Sequence, residues 1–175
     1  MKKTSGFTTF SSHERGFTLI ELLVVVTIIA TLAVAVFVAL NPAGRLRDAR
    51  DARRSSDVAS ILTAIHQSVV DNGGNYPTNL AAVPAGTETQ LGTAIGGCAI
   101  STGGCAVTTA ACTNLMADIV LPGTDLIPYL KSMPIDPTTT FTAANTGYSV
   151  VRDVNGIITV RACGTQGATP IFSSR

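Results

Sequence analysis

From Phe17 to Leu40 the chain runs for 24 residues with a single charge, Glu21. At about 1.5 Å per helical residue the run is roughly 36 Å long, enough to cross a hydrocarbon core of about 30 Å. The carboxylate inside it is the anomaly. At the centre of a bilayer helix it costs roughly 2.5 to 3.5 kcal/mol on insertion scales, so a chain that keeps Glu21 is expected to supply a partner for it.

The residues around Glu21 form a pattern. Arg15-Gly16-Phe17-Thr18-Leu19-Ile20-Glu21-Leu22-Leu23 resembles the cleavage and methylation signature of type IV prepilins and type II secretion pseudopilins, with Gly, Phe and Glu at their family positions ahead of an apolar helix. The resemblance implies a leader over residues 1–16, cut between Gly16 and Phe17 on the cytoplasmic face, and methylation of the new Phe17 amine. Glu21 is then the fifth mature residue and an assembly residue, with a positive amine at the end of the same helix. The implied partners are a prepilin peptidase, an inner-membrane assembly platform, copies of the chain and other pilin subunits, and membrane lipid before assembly.

Two plainer readings compete. The run could be a signal anchor, or a secretory signal peptide cut after Ala33-Val34-Ala35, which has the small-x-small form. The stretch before Ala33 is long for a signal-peptide core, however, and it contains Glu21. Topology is a second tension. Arg45, Arg47, Arg50, Arg53 and Arg54 after the span outnumber Lys2, Lys3 and Arg15 before it, and the positive-inside rule would keep the C-terminal side in the cytoplasm. The motif takes precedence, and the arginines are expected on a rigid helix of an exported domain.

Only 13% of the residues are charged, against about 25% in an average soluble domain. Removing the leader takes three of the 12 basic and one of the 11 acidic residues and leaves a formal net charge of −1. No nucleic-acid partner is implied. Residues 75–175 suffice for a small core that is marginal without help. Cys98, Cys105, Cys112 and Cys163 are the disulfide candidates, as expected outside the reducing cytosol. Three pairings are open, and Cys98–Cys105 with Cys112–Cys163 is the expected one.

Asn41-Pro42 should interrupt the helix, because proline removes a hydrogen bond and clashes with the preceding turn. Periodicity resumes through Leu46, Ala49, Val58, Ile61, Leu62, Ile65 and Val69, and Asp71-Asn72-Gly73-Gly74 ends it. Residues 17–40 are therefore read as the transmembrane or filament-core half of one long helix and 41–74 as its amphipathic half, with residues 75–175 as the exported domain. Asn75 to Thr113 reads as an extended connector. Within it Gly96-Gly97-Cys98-Ala99-Ile100-Ser101-Thr102 recurs as Gly103-Gly104-Cys105-Ala106-Val107-Thr108-Thr109. Tyr148–Arg152 and Ile157–Ala162 are strand-like, and a two-residue turn at Asn155-Gly156 would put Val151, Ile158, Val160 and Ala162 on the face that covers the helix. A third short strand is expected near Ile171-Phe172. The fold class is α+β and pilin-like, a long N-terminal helix packed on a small antiparallel sheet.

The stretch from Arg45 to Arg54 could contact nucleic acid or lipid headgroups. Its acids argue for a solvated or inter-subunit face, because Arg47–Asp51 and Arg53–Asp57 at i,i+4 and Arg45–Asp48 and Asp51–Arg54 at i,i+3 can pair within the helix. No nucleophile elbow, phosphate loop, zinc helix or dinucleotide fingerprint is present, so no catalytic residue and no cofactor are expected. The resemblance to major pseudopilins implies a possible calcium site. Asp118, Asp125, Asp136 and Asp153 lack the dense oxygen ligands of a calcium loop, and no metal is expected. The chain is read as a structural subunit of a type IV pilus or a type II secretion pseudopilus, a single-pass membrane protein before assembly and part of an extracellular or envelope filament afterwards. The alternative is a membrane-anchored surface-binding or adhesion protein that forms no filament.

Overall fold

The computed structural model describes residues 16–117, 125–167 and 169–175. The chain divides into two compact units between Pro42 and Ala43. The described part of the first is α1, Leu19–Leu40, in which no residue is buried. Thr18 caps its start from an extended backbone, its side chain accepting from Glu21 N. Asn41 closes its end in the left-handed conformation, φ 41° and ψ 65°, which Asn tolerates better than most residues. Pro42 then opens α2, Pro42–Asp71. The expected interruption thus falls on one residue, with proline at the first helical position, where its missing N–H costs nothing.

The second unit contains α2 from Ala43 onward, a short α3 (Thr78–Ala81), and an antiparallel sheet of β1 (Glu88–Gln90), β2 (Tyr148–Arg152), β3 (Ile158–Ala162) and β4 (Ile171–Ser174) in sequential order. The fold is α+β and pilin-like. α2 ends in a reciprocal pair of bonds, Gly74 N to Val69 O at 2.8 Å and Gly73 N to Val70 O at 3.3 Å, the Schellman closure that glycine permits. Val58, Ile61, Leu62, Ala64 and Ile65 of α2 share one core with Leu80, Leu91, Leu115, Leu126, Tyr148, Val150, Ile158, Val160 and Ala162. Leu46 and Ala49, the first residues of the expected stripe, are exposed.

Three expectations need correction. The β2–β3 register places Val150 opposite Val160, so Val150 is buried and Val151 is not. The loop has three residues, because Asp153 N donates to Ile157 O at 2.9 Å and Gly156 stands at φ +86°. A left-handed glycine at the third loop position is the bulged alternative to a two-residue turn. Asp153 Oδ1 fixes it by accepting from Asn155 N and Ile157 N. One residue of slip carries β2's side chains to the opposite face. Second, the connector is not featureless: it holds α3 and the edge strand β1, whose Glu88, Thr89 and Gln90 are all buried.

The third correction concerns the bridges, which are Cys98–Cys112 and Cys105–Cys163. Gly103 and Gly104, both at positive φ, turn the glycine-cysteine repeat back on itself, with Cys105 N donating to Thr102 O at 2.9 Å. Ile100 and Val107, equivalent positions of the two copies, then pair across the turn. That register sets Cys98 against Ala110, with N to O at 3.0 Å, two residues before Cys112. Cys105 lies at the turn itself, beside Cys163 just beyond β3. The Cα separations are 5.3 and 5.4 Å, within the ordinary range for a disulfide.

Candidate processing and assembly site

Gly16 and Phe17 precede α1 and are exposed, Phe17 at 82%. A Cβ placed on Gly16 would meet nothing within 4 Å, so nothing in the described chain demands glycine there. Thr18, Leu19, Ile20 and Glu21 form the first turn. Glu21 N donates to Thr18 Oγ1 at 3.2 Å, and Thr18 Oγ1 donates to Glu21 Oε2 at 3.4 Å. A carboxylate in this turn also faces the free N–H groups and positive end of the helix dipole. Glu21 therefore has a partner that the sequence reading overlooked, although Thr-x-x-Glu ahead of an apolar run is a capping-box signal. Lys2, Lys3, His13, Glu14 and Arg15 of the expected leader lie outside the described residues, as does Asp118.

Beyond Glu21, α1 contains only apolar residues with Thr27 and Thr31, whose hydroxyls donate to Val24 O and Ile28 O at 2.8 and 2.9 Å. No polar side chain in it is left without a local acceptor, as an apolar surrounding requires. By length and composition the helix can cross a membrane. Residues 11–37 match the family profile described as the prokaryotic N-terminal methylation motif. This is the prepilin-type motif of type IV pilins and pseudopilins. No curated protein and no solved structure matches the chain. The prepilin-type motif and the apolar helix that it opens fit a type IV pilin or pseudopilin precursor and a membrane anchor.

The second unit places the other candidates. All four cysteines are in disulfides. Asp136, weighed above as a metal ligand, instead meets Arg54, a fully buried guanidinium on the core face of α2. Arg54 Nε donates to Asp136 Oδ2 at 2.7 Å and Nη2 to Oδ1 at 2.8 Å, while Nη1 donates to Asp51. Thr138 adds its N–H at 2.9 Å and its hydroxyl at 2.6 Å to Asp136 Oδ1. Burial alone would push the Asp136 carboxyl up, but the bonds from Arg54 and Thr138 together hold it below its ordinary value. The same bond to Asp136 raises Arg54, against the cost of burying it. Next to this pair Tyr148 donates to Asp57 Oδ2 at 2.7 Å, and burial, then that bond, raises the phenol.

Asp153 is engaged in the hairpin turn, and Asp125 accepts from Ile127 N at 3.3 Å. Among the described residues no three His, Cys, Asp or Glu side chains are grouped to hold a metal. Arg54 is the residue whose role was missed. Its signal was its place in line with Val58, Ile61 and Ile65 at helical spacing.

Proposed function

We propose that this chain is a prepilin-type structural subunit of a type IV pilus or a type II secretion pseudopilus. The observation that carries the reading is the methylation motif at residues 11–37 heading a helix that buries none of its residues within its own chain. A prepilin peptidase removes residues 1–16, and the Phe17 amine is methylated. The open space at Gly16 supports this, since a glycine its own chain does not require is one that an enzyme's cleft can require. Before assembly α1 lies in the membrane and the C-terminal unit, with its two disulfides, is exported. On assembly α1 packs against other copies and other pilin subunits, and Glu21 exchanges its Thr18 contact for the Phe17 amine of a neighbour.

Mass spectrometry of sheared surface material tests the reading: the mature chain begins with methylated Phe17. Gly16→Leu leaves the leader attached. A mature terminus near Val36 would instead establish a signal peptide, and an intact mature chain that never appears in the sheared fraction would favour a non-filamentous surface protein.

A further inference from the structure

The acids expected to neutralise the arginines of α2 do so only in part. Asp51 accepts from the buried Arg54. Asp57 accepts from Tyr148 at 2.7 Å and leaves Arg53 only an exposed 3.7 Å contact. Of the four intrahelical pairs open to this segment, the two with Arg45 and Arg47 do not form among the described residues. At helical spacing Arg45, Leu46, Ala49, Arg50 and Arg53 share one face of α2. Arg45, Leu46, Ala49 and Arg53 are exposed and Arg50 is half-buried, its Nη1 donating to Gln166 at 3.5 Å. The exposed Asp48, one turn from Arg45, borders that face, and within it no acid falls before Asp57.

Position along the chain adds a second, independent constraint. Arg45 follows Leu40, the last residue of the apolar helix, by five residues. Five residues span at most about 18 Å even fully extended, so whatever direction α2 takes, Arg45 stays close to the surface of a bilayer that holds α1. The face combines cations with the apolar Leu46, the chemistry of a segment lying at a headgroup boundary. Arginine also suits phosphate, because its planar fork donates to two oxygens at once.

We propose that the Arg45, Leu46, Ala49, Arg50 and Arg53 face of α2 binds the headgroups of anionic phospholipids in the bilayer that anchors α1. The inference rests on the anchor reading of α1. It gives the second unit a hold on the membrane that is separate from the apolar helix. That hold must be released when the subunit leaves the bilayer.

The test uses the full chain reconstituted in vesicles of phosphatidylcholine alone and of phosphatidylcholine mixed with phosphatidylglycerol, with native mass spectrometry of the lipids retained on extraction. The wild type retains phosphatidylglycerol in preference to phosphatidylcholine, and the preference fades as salt is raised. Each arginine near an anionic surface contributes about a factor of five. R45Q/R50Q/R53Q therefore loses up to about 100-fold of the preference, while R45K/R50K/R53K keeps most of it. Insertion into phosphatidylcholine vesicles is the same for all three. A chain that inserts but retains both lipids equally overturns the proposal, and one that fails to enter any vesicle overturns the anchor reading instead. Arginine-dependent retention of added duplex DNA without a lipid preference would reassign the face to nucleic acid.

Discussion

In α1 every residue from Leu19 to Leu40 is exposed, whereas α2 buries Arg54, Val58, Ile61, Leu62, Ala64, Ile65 and Ser68. The helix with the more apolar composition is the one its own chain does not cover, and the largest fully buried side chain belongs to an arginine of the more polar helix. Between these two helices hydrophobicity therefore does not report burial. It reports the intended surroundings. α1 is built for a medium that supplies no hydrogen bonds, so its polar side chains are satisfied within its own turns. α2 is built for a half-wet surface and adds to its internal pairs partners from distant segments, as Arg54 does with Asp136, 82 residues away.

The largest effect expected from this contrast is all-or-none. Glu21→Val removes an insertion cost that is smaller at this first turn than the roughly 2.5 to 3.5 kcal/mol of a helix centre, so the membrane-bound subunit persists or increases, while filaments disappear for want of the inter-subunit pair. Comparing the membrane and sheared fractions checks both halves, and a normal filament yield would remove Glu21 from assembly. In α2 the corresponding change is Arg54→Leu, which strands the Asp136 carboxylate and destabilises the second unit by about 3 to 5 kcal/mol. Arg54→Leu with Asp136→Leu recovers most of that in denaturant melts of the full chain.

The pair also carries a pH dependence. Asp136 has its folded value depressed, so its contribution is fully present above the unfolded value of about 3.9 and is lost as pH falls through the folded value below it. A wild-type acid limb that Arg54→Leu flattens is the expected result.

A smaller effect separates the two bridges. In the chain-entropy model a loop of 14 residues gives about 3 kcal/mol and one of 58 about 4 kcal/mol. Cys163→Ser therefore lowers the stability of the second unit more than Cys98→Ser. Non-reducing peptide maps should recover Cys98 with Cys112 and Cys105 with Cys163, and any other linkage breaks the hairpin account of the repeat. The smallest effect tests the sheet register. Val150→Ala costs about 2 kcal/mol, from the lost methyl burial and the space left behind, and Val151→Ala costs well under about 1 kcal/mol. Reversal of that order would restore the two-residue turn.

Much of this architecture was legible because it is written in local chemistry. An unbroken apolar run, Asn-Pro at its end and paired glycines after Asp71 each act within a few residues, and each sits where the structure has a helix, a break or a stop. The strands around Asp153 were legible as strands but not in register, because Asn-Gly serves two loop lengths and only the Asp153 bonds select between them. β1 was illegible, since Glu88-Thr89-Gln90 has no apolar alternation. Glu88 can be buried because Ser149, Ala106 and Arg161 satisfy it from other parts of the chain, and Thr89 because its hydroxyl pairs with that of Thr113.

The sequence by itself determined the apolar helix, the prepilin-type motif, the α+β composition of the second unit and the four cysteines as disulfide candidates, all of which follow from contiguous patterns. Only the tertiary structure decided which cysteines join, which face of β2 is inside, and that Arg54 belongs to the core with Asp136 while Arg45 and Arg53 remain outside. Those outcomes depend on partners distant along the chain. A charge is buried or left to water according to whether folding brings a hydrogen-bonding counter-charge within about 3 Å of it.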